Sequence, residues 1–289
     1  MLRKMRSFEY LEAASVSEAV SFLDRYRDKA RIFAGGTDLL VAMKETGQSP
    51  EYLIDIKSIP GLSSITYDEK EGLRIGTCAT IREIETSRVV QEKFPPLAQG
   101  AQVLGSVQIR NRGTIGGNLC TASPSADTAP PLLVLDAKVK LVGPKGERVL
   151  PLDQFFVGPG MTVLENELLT EVIVPPPAPD TRGVYLYIMR RRAVDLALVG
   201  VAASAAGTGK NGTWKDVRIA LGAVAPTPIR ARKAEAVLEG RKKEARLIAE
   251  AARIASEQDA CCITDVRASE WYRKELVRVL TQRALQQVS

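Results

Sequence analysis

The chain has 289 residues, 45% of them hydrophobic and 26% charged, with a formal net charge of +6. That is enough chain for two folded units with real cores, and no apolar run reaches the length needed to span a bilayer. Histidine is absent, which excludes Ser-His-Asp and Cys-His nucleophile sets, the common zinc ligand sets and the usual general base near neutral pH.

The rest of the polar inventory narrows the field further. Cys78, Cys120, Cys261 and Cys262 show neither C-x-x-C spacing nor an extracellular framework, so they read as plain thiols and no metal site is expected. Basic residues are interleaved with acids and no aromatic-basic stripe occurs, so no nucleic-acid partner is expected. Arg3, Lys4 and Arg6 are not followed by an apolar run, so neither a secretory signal nor a membrane span is expected, and the expected location is cytoplasmic. Chemistry then has to rest on carboxylates, Lys, Tyr or Cys, or on a bound cofactor.

In chain order, Ser15 and Glu18 stand at capping-box spacing before a helical face of Ala19, Val20 and Leu23. Arg31 to Ala34 reads as a short strand running into Gly35-Gly36. Asp38 to Lys44 reads as a helix with Thr37 as its N-cap, and Leu53 to Ile56 as another strand. The opening is thus a small α/β unit. From Ile65 to about Val174, Leu73 to Cys78 reads as a strand, and Thr80 with Glu83 caps a short helix. Pro95-Pro96 starts a helix to about Val103, and Pro130-Pro131 starts another turn. Val139 to Val142, Arg148 to Leu150 and Leu169 to Val174 read as strands of a mixed sheet.

Pro175-Pro176-Pro177-Ala178-Pro179 excludes helix and central sheet and marks an extended connection. Beyond it, Tyr185 to Met189, Ala197 to Ala205 and Val217 to Val224 read as strands, with Gly207 to Gly212 as a hairpin connection. Pro228 to Leu238, Lys243 to Gln258 and Ser269 to Gln286 carry helical periodicity. The expected division is 1–175, with subdomains of about 1–57 and 58–175, followed by an α+β unit over 180–289.

Two glycine segments carry the chemistry. In Ala34-Gly35-Gly36-Thr37-Asp38, a strand ending in Gly-Gly lets the backbone turn sharply and admits a ligand without an intervening β-carbon. Amides at the start of a following helix then form an anion nest suited to a pyrophosphate. A strand-to-helix turn without any ligand fits this segment equally well. Asp55 stands where a dinucleotide fold keeps its ribose-binding acid, but Ala34 to Leu39 lacks G-x-G-x-x-G spacing, so Asp55 reads as a strand-end residue. The second segment, Thr114-Ile115-Gly116-Gly117-Asn118, leads into Thr121-Ala122-Ser123-Pro124-Ser125-Ala126-Asp127. This small, hydroxyl-rich run is costly in chain entropy unless a ligand orders it, and Asp127 is suited to accept from a polyol chain. A polar surface loop is the alternative.

Together, AGGTDLL and TIGGNLCTASPSAD resemble the flavoprotein (medium) subunit of the molybdenum hydroxylases. That family includes xanthine dehydrogenase, aerobic carbon monoxide dehydrogenase and 4-hydroxybenzoyl-CoA reductase. The resemblance covers essentially the whole chain. It implies an α+β protein: a FAD-binding fold of the vanillyl-alcohol oxidase (PCMH) type with two α/β subdomains, followed by a smaller α+β domain with a three-stranded antiparallel sheet and helices. FAD is the implied cofactor. Phe33, Ala34, Gly35, Gly36, Thr37, Asp38 and Leu39 are implied on one side of its diphosphate. Thr114, Gly116, Gly117, Asn118, Cys120, Thr121 and Asp127 are implied on the diphosphate and ribityl region from the other side. Leu97 and Ala98 match positions near the cofactor, Leu169 an apolar position near the flavin ring, and Tyr187 the place where the second domain closes over the isoalloxazine.

The segment Arg190-Arg191-Arg192-Ala193-Val194-Asp195 matches a loop near the flavin in relatives. A solvated basic turn is its plain reading, and screening of the flavin or steering of an acidic acceptor its functional one. Leu196 departs from the carbon-monoxide-type members, where an aromatic often follows the aspartate. The resemblance implies an electron-transfer subunit that takes electrons from [2Fe-2S] clusters of a partner and passes them to NAD, quinone or oxygen. A small iron-sulfur subunit and a large molybdopterin subunit complete the implied enzyme, as a dimer of heterotrimers. No catalytic side chain is expected in this chain, and the cysteine-rich insertion of the hydroxybenzoyl-CoA reductase flavoprotein is absent. The other readings are a stand-alone FAD oxidase or reductase and a non-catalytic nucleotide-binding assembly module.

Overall fold

The computed structural model describes residues 5–47, 49–191, 194–207 and 212–289. Arg192, Ala193 and most of the expected 207–212 hairpin connection, as well as Arg3 and Lys4, lie outside the described residues.

The chain opens with strand β1 (Glu9–Glu12), helix α1 (Val16–Tyr26), β2 (Ala30–Phe33), helix α2 (Leu39–Thr46) and β3 (Tyr52–Asp55). β1 is a strand the sequence pattern did not announce. The three strands form a parallel sheet in the order β1-β3-β2, which confirms the α/β reading. Ser15 caps α1 by accepting from the Glu18 amide at 3.2 Å, while the Glu18 carboxylate returns to the amide of Ala14 at 2.8 Å. Ala19, Val20 and Leu23 then bury against Ile54 and Ile56. Asp38, and not Thr37, occupies the N-cap of α2, and it makes no side-chain capping bond.

The middle of the chain contains β4 (Ile65–Asp68), β5 (Gly72–Gly76) and six helices: α3 (Ile81–Thr86), α4 (Arg88–Lys93), α5 (Pro95–Val103), α6 (Val107–Arg110), α7 (Ile115–Thr121) and α8 (Ala129–Val134). Then come β6 (Lys138–Gly143), β7 (Gly146–Pro151), the small hairpin of β8 (Phe156–Gly158) and β9 (Met161–Thr162), and β10 (Leu168–Val174). The sheet has the order β4-β5-β10-β6-β7, and every neighbouring pair is antiparallel. The expected mixed sheet is therefore corrected. Strands separated by helices suggest a parallel crossover, but here β10 lies between β5 and β6 and runs against both. Two helix starts match the sequence reading closely: Thr80 and Glu83 form a complete capping box on α3, and Pro95 opens α5. The second glycine segment is not a loop. Thr114 caps Gly117 at 3.1 Å, and Gly116, Gly117 and Asn118 lie in the first turns of α7.

After the proline run come β11 (Arg182–Ile188), β12 (Val199–Ala206), β13 (Lys215–Gly222), β14 (Ile229–Arg230) and helices α9 (Arg232–Leu238), α10 (Ala245–Ile254) and α11 (Glu270–Val288). This sheet is antiparallel in chain order and has four strands, not the expected three. The extra strand is Ile229–Arg230, which pairs with Leu221 and Ala220 ahead of α9, so helix begins at Arg232 and not at Pro228. All eight residues of β12 are buried, because the sheet is covered on both faces. Val201, Ala203, Ile219 and Leu221 face the core shared with α9–α11. Tyr185, Ala202 and Ala220 face the core built on α3–α8 and the five-stranded sheet. Gly183 lies against Pro96 of α5 and Gly222 against Pro130 of α8, leaving no room for a β-carbon at either contact.

Candidate functional site

The two glycine segments meet. Gly35 lies so close to the backbone of Arg112 that a β-carbon on it would stand 2.1 Å from the Arg112 carbonyl oxygen. Gly36 takes a φ of +72°, a left-handed conformation suited to glycine, directly over the ring of Phe33. Across the gap, the Thr121 hydroxyl lies 3.3 Å from Asp38 Oδ2 and 2.9 Å from the Gly117 carbonyl. Gly116 packs on Thr77, its amide donating to the Thr77 carbonyl at 3.0 Å. Gly117 meets only the Thr114 hydroxyl.

These segments line one cleft of about 1380 Å³, bounded by residues 34–39, by Thr114, Gly116, Gly117, Asn118, Cys120 and Thr121, and by Ser123 to Asp127. Drug-sized ligands occupy pockets of roughly 300–1,000 Å³, so this cleft has room for a dinucleotide. Asp38 gives α2 no side-chain cap; the Leu40 amide is taken by the Gly36 carbonyl at 3.1 Å, and Leu39 of the same turn lines the cleft. An uncapped helix start is suited to phosphate oxygens. Leu169, itself buried, adds an apolar wall. Cys120 also lines the cleft, and burial pushes its thiol up to about 12, so it sits there as a neutral thiol.

Asp127 brings a buried carboxylate to this surface. It is 5% exposed and accepts from the Tyr185 hydroxyl at 2.8 Å. Burial pushes its carboxyl up to about 7, and the Tyr185 hydrogen bond opposes that rise. Tyr185 was missed in the sequence reading. It shares a strand face with Tyr187, and alternation alone gives no means of choosing between them.

Four of the residues implied by the resemblance lie off the cleft lining. Phe33 sits beneath Gly36, with the Lys57 ammonium 4.1 Å from its ring centroid. Leu97 is sealed in the core of the middle segment, and Ala98 packs against that core. Tyr187 is 38% exposed on β11 and stacks on Tyr185 at 6.0 Å between centroids. Asp55 also lies off the cleft, as the strand-end reading required. It is buried, its Oδ2 lying 2.5 Å from Lys57 Nζ and accepting from the Tyr10 hydroxyl, while its Oδ1 accepts from the Lys57 amide at 2.9 Å.

Arg190, Arg191, Val194, Asp195, Leu196 and Arg267 also line the cleft. Asp195 Oδ2 accepts from the amides of Arg190 and Arg191, both at 3.0 Å, and so fixes this turn. The Val194 amide reaches the Gly105 carbonyl at 3.3 Å, joining the turn to the segment after α5. Arg267 is held by Asp265, and its Nη1 is buried without a hydrogen-bond partner among the described residues.

The family models that match this fold and its cleft identify an FAD-binding subunit. The family model described as the FAD binding domain in molybdopterin dehydrogenase matches residues 6–177, and the CO dehydrogenase flavoprotein C-terminal domain matches residues 185–288. The chain is 37% identical over 281 residues to the carbon monoxide dehydrogenase medium chain of Hydrogenophaga pseudoflava, covering 96% of each chain. It is 32% identical over 278 residues to the xanthine dehydrogenase FAD-binding subunit of Escherichia coli O157:H7, covering 96% of this chain and 94% of that one. Among solved structures, carbon monoxide dehydrogenase from Hydrogenophaga pseudoflava superposes with a TM-score of 0.93 at 36% identity, covering 100% of this chain and 98% of that one. Quinoline 2-oxidoreductase from Pseudomonas putida 86 gives 0.90 at 29% identity, covering 99% and 98%. The chain belongs to the FAD-binding medium subunits of the molybdenum hydroxylases, a family of oxidoreductases.

Proposed function

We propose that this chain is the electron-transfer subunit of a multi-subunit molybdenum hydroxylase. It takes electrons from [2Fe-2S] clusters on a small partner subunit and delivers them to a final acceptor such as NAD, quinone or oxygen. Substrate oxidation then belongs to a large molybdopterin subunit, the whole assembling as a dimer of heterotrimers. The observation that carries this reading is the meeting of Gly35-Gly36 and Gly117 across one cleft beside an uncapped helix start. The names of the relatives, medium chains and FAD-binding subunits of dehydrogenases, support it.

FAD, when bound, supplies the reversible uptake and release of electrons. The protein's part is to hold and orient. Amides from Gly36 to Leu39 and at Gly117 hold the diphosphate, Thr121 and Asp127 hold the polyol chain, and Leu169 packs the ring system. Phe33, Leu97 and Ala98 act from behind, by fixing the backbone that lines the cleft, and Tyr187 acts by stacking on Tyr185. The unit that binds FAD ends within residues 175–180, in the proline run. A cytoplasmic location is part of this reading and agrees with four unpaired cysteines. No helix among the described residues is long and apolar enough to cross a membrane.

Absorption of the purified protein tests the cofactor assignment. Bound flavin gives near-ultraviolet and blue bands, and a colourless protein indifferent to added FAD would overturn it. Bulky replacements at Gly36 or Gly117 should abolish flavin retention. Affinity purification of the native complex should recover an iron-sulfur chain and a molybdenum chain, and an active enzyme made of this chain alone would refute the relay.

A further inference from the structure

We propose that Tyr185 is a positioning residue for the cofactor: from the C-terminal sheet it holds the Asp127 carboxyl in the cleft and makes FAD affinity depend on the second half of the chain. The inference rests on the FAD reading above.

The segment that carries Asp127 has no regular structure of its own between α7 and α8. Besides its own turns and the Thr128–Asn118 bond, it is fixed from the other sheet. The Ala223 amide donates to the Pro124 carbonyl at 2.7 Å, and Gly222 sits against Pro130. Tyr185 donates to Asp127 Oδ1 at 2.8 Å, both groups being buried. Tyr185 is itself held. Its amide donates to Gln99 Oε1 of α5 at 2.7 Å, its ring lies over Gly200 where a β-carbon would collide, and Tyr187 stacks beside it. The bond engages one carboxylate oxygen, and the other has no hydrogen bond among the described residues, which leaves it for a ligand hydroxyl.

The surroundings make the tyrosine's contribution readable. From β11 the groups facing Asp127 are Tyr185 and, behind it, Tyr187. Gln99 of α5 holds the Tyr185 amide, Thr128 bonds Asn118, and Ser123, Ser125, Asn118 and the neutral thiol of Cys120 line the same cleft. None of these neighbours is cationic, so the Tyr185 hydroxyl is the support for the ionised carboxyl, which burial disfavours. Removing that donor raises the carboxyl's titration further.

The experiment measures FAD dissociation constants for the full-length apoprotein between pH 5 and 9, for wild type and for Y185F, D127N and S204A. Hydrogen bonds to charged groups contribute enough that Y185F should bind FAD about tenfold more weakly. Its pH midpoint for binding should move upward from that of wild type, and D127N should show no midpoint. Ser204 donates to the Val134 carbonyl from the same sheet at 3.0 Å but does not touch Asp127, so S204A should lower the melting temperature while leaving FAD affinity unchanged. Equal affinity and an equal midpoint in Y185F and wild type would overturn the proposal. So would an S204A variant that loses as much affinity as Y185F, since the tyrosine would then only pack the interface. Wild type that fails to bind FAD at all would instead overturn the cofactor reading on which the proposal stands.

Discussion

Gly35 and Arg112 are 77 positions apart in the chain, and the Arg112 carbonyl oxygen fills the place where a β-carbon on Gly35 would sit, 2.1 Å away. This approach brings the strand-to-helix turn of the first glycine segment against the entry to the second. Glycine is required here for space and not for its backbone angles, since only Gly36 of the pair takes positive φ.

Gly35→Ala should therefore destabilise the protein by about 1–3 kcal/mol, the usual range for forcing an extra carbon into a packed site. Gly117→Ala meets only the Thr114 hydroxyl, at 3.0 Å, and should melt within a degree or two of wild type. Thermal unfolding monitored by circular dichroism distinguishes the two. Equal melting temperatures would mean that the Arg112 backbone yields freely.

The pH dependence of stability should contain a contribution from Asp127. Its carboxyl is pushed up to about 7 by burial, against an ordinary value of 3.8. Between those values the folded state keeps a proton that the unfolded chain has lost, so stability is fully present below the lower value and falls as pH rises to about 7. Asp127→Asn cannot titrate. Melting curves of the apoprotein at a series of pH values should lose this decline in the variant, and an unchanged decline would place its origin elsewhere.

Arg273 is 1% exposed, donating from Nη1 to the Leu198 carbonyl at 2.6 Å and from Nη2 to Asp265 at 2.8 Å. Burial works against the Asp265 carboxylate, but the amides of Arg267 and Ala268 and the Arg273 guanidinium hold it well below the usual carboxylate range. Arg273→Met removes the donor from the buried Leu198 carbonyl and leaves Asp265 to Arg267 and the two amides, and should cost about 1–3 kcal/mol. Chemical denaturation should show a lower midpoint. A change below about 1 kcal/mol would mean that water replaces the guanidinium.

On α3 the Thr80 side chain accepts from the Glu83 amide at 3.1 Å, while Glu83 returns to the Thr80 amide at 2.7 Å. Thr80→Ala should cost about 1 kcal/mol and lower the melting temperature by roughly 2–4 °C. Glu83→Gln keeps an acceptor and should cost less, so a larger loss in the glutamine variant would argue against the box.

Local signals were read well and spatial ones were not. Thr80 with Glu83, Pro95-Pro96 and Ser269 each announced a helix start, because a cap or a fixed φ is written into adjacent residues. The expected mixed sheet became antiparallel because strand direction depends on how six intervening helices return the chain. The expected Thr37 cap moved to Asp38, and the Gly116-Gly117-Asn118 run became the start of α7. There the Thr114 cap and the packing of Gly116 on Thr77 outweigh glycine's weak helix propensity.

The sequence by itself determined the kind of protein. A chain without histidine lacks the usual general base, and the resemblance of AGGTDLL and TIGGNLCTASPSAD to the medium flavoprotein subunits named the family and implied its FAD site. Only the tertiary structure decided which residues reach that site. It buried Leu97 in the core, placed Phe33 under the glycine turn, and put Tyr185 on Asp127 while leaving Tyr187 half-exposed. The physical reason is that amide nests and caps are formed by neighbours in the chain. The Tyr185–Asp127 bond joins residues 58 positions apart, and it exists only because a sheet covered on both faces presses one side of β11 onto the cofactor segment.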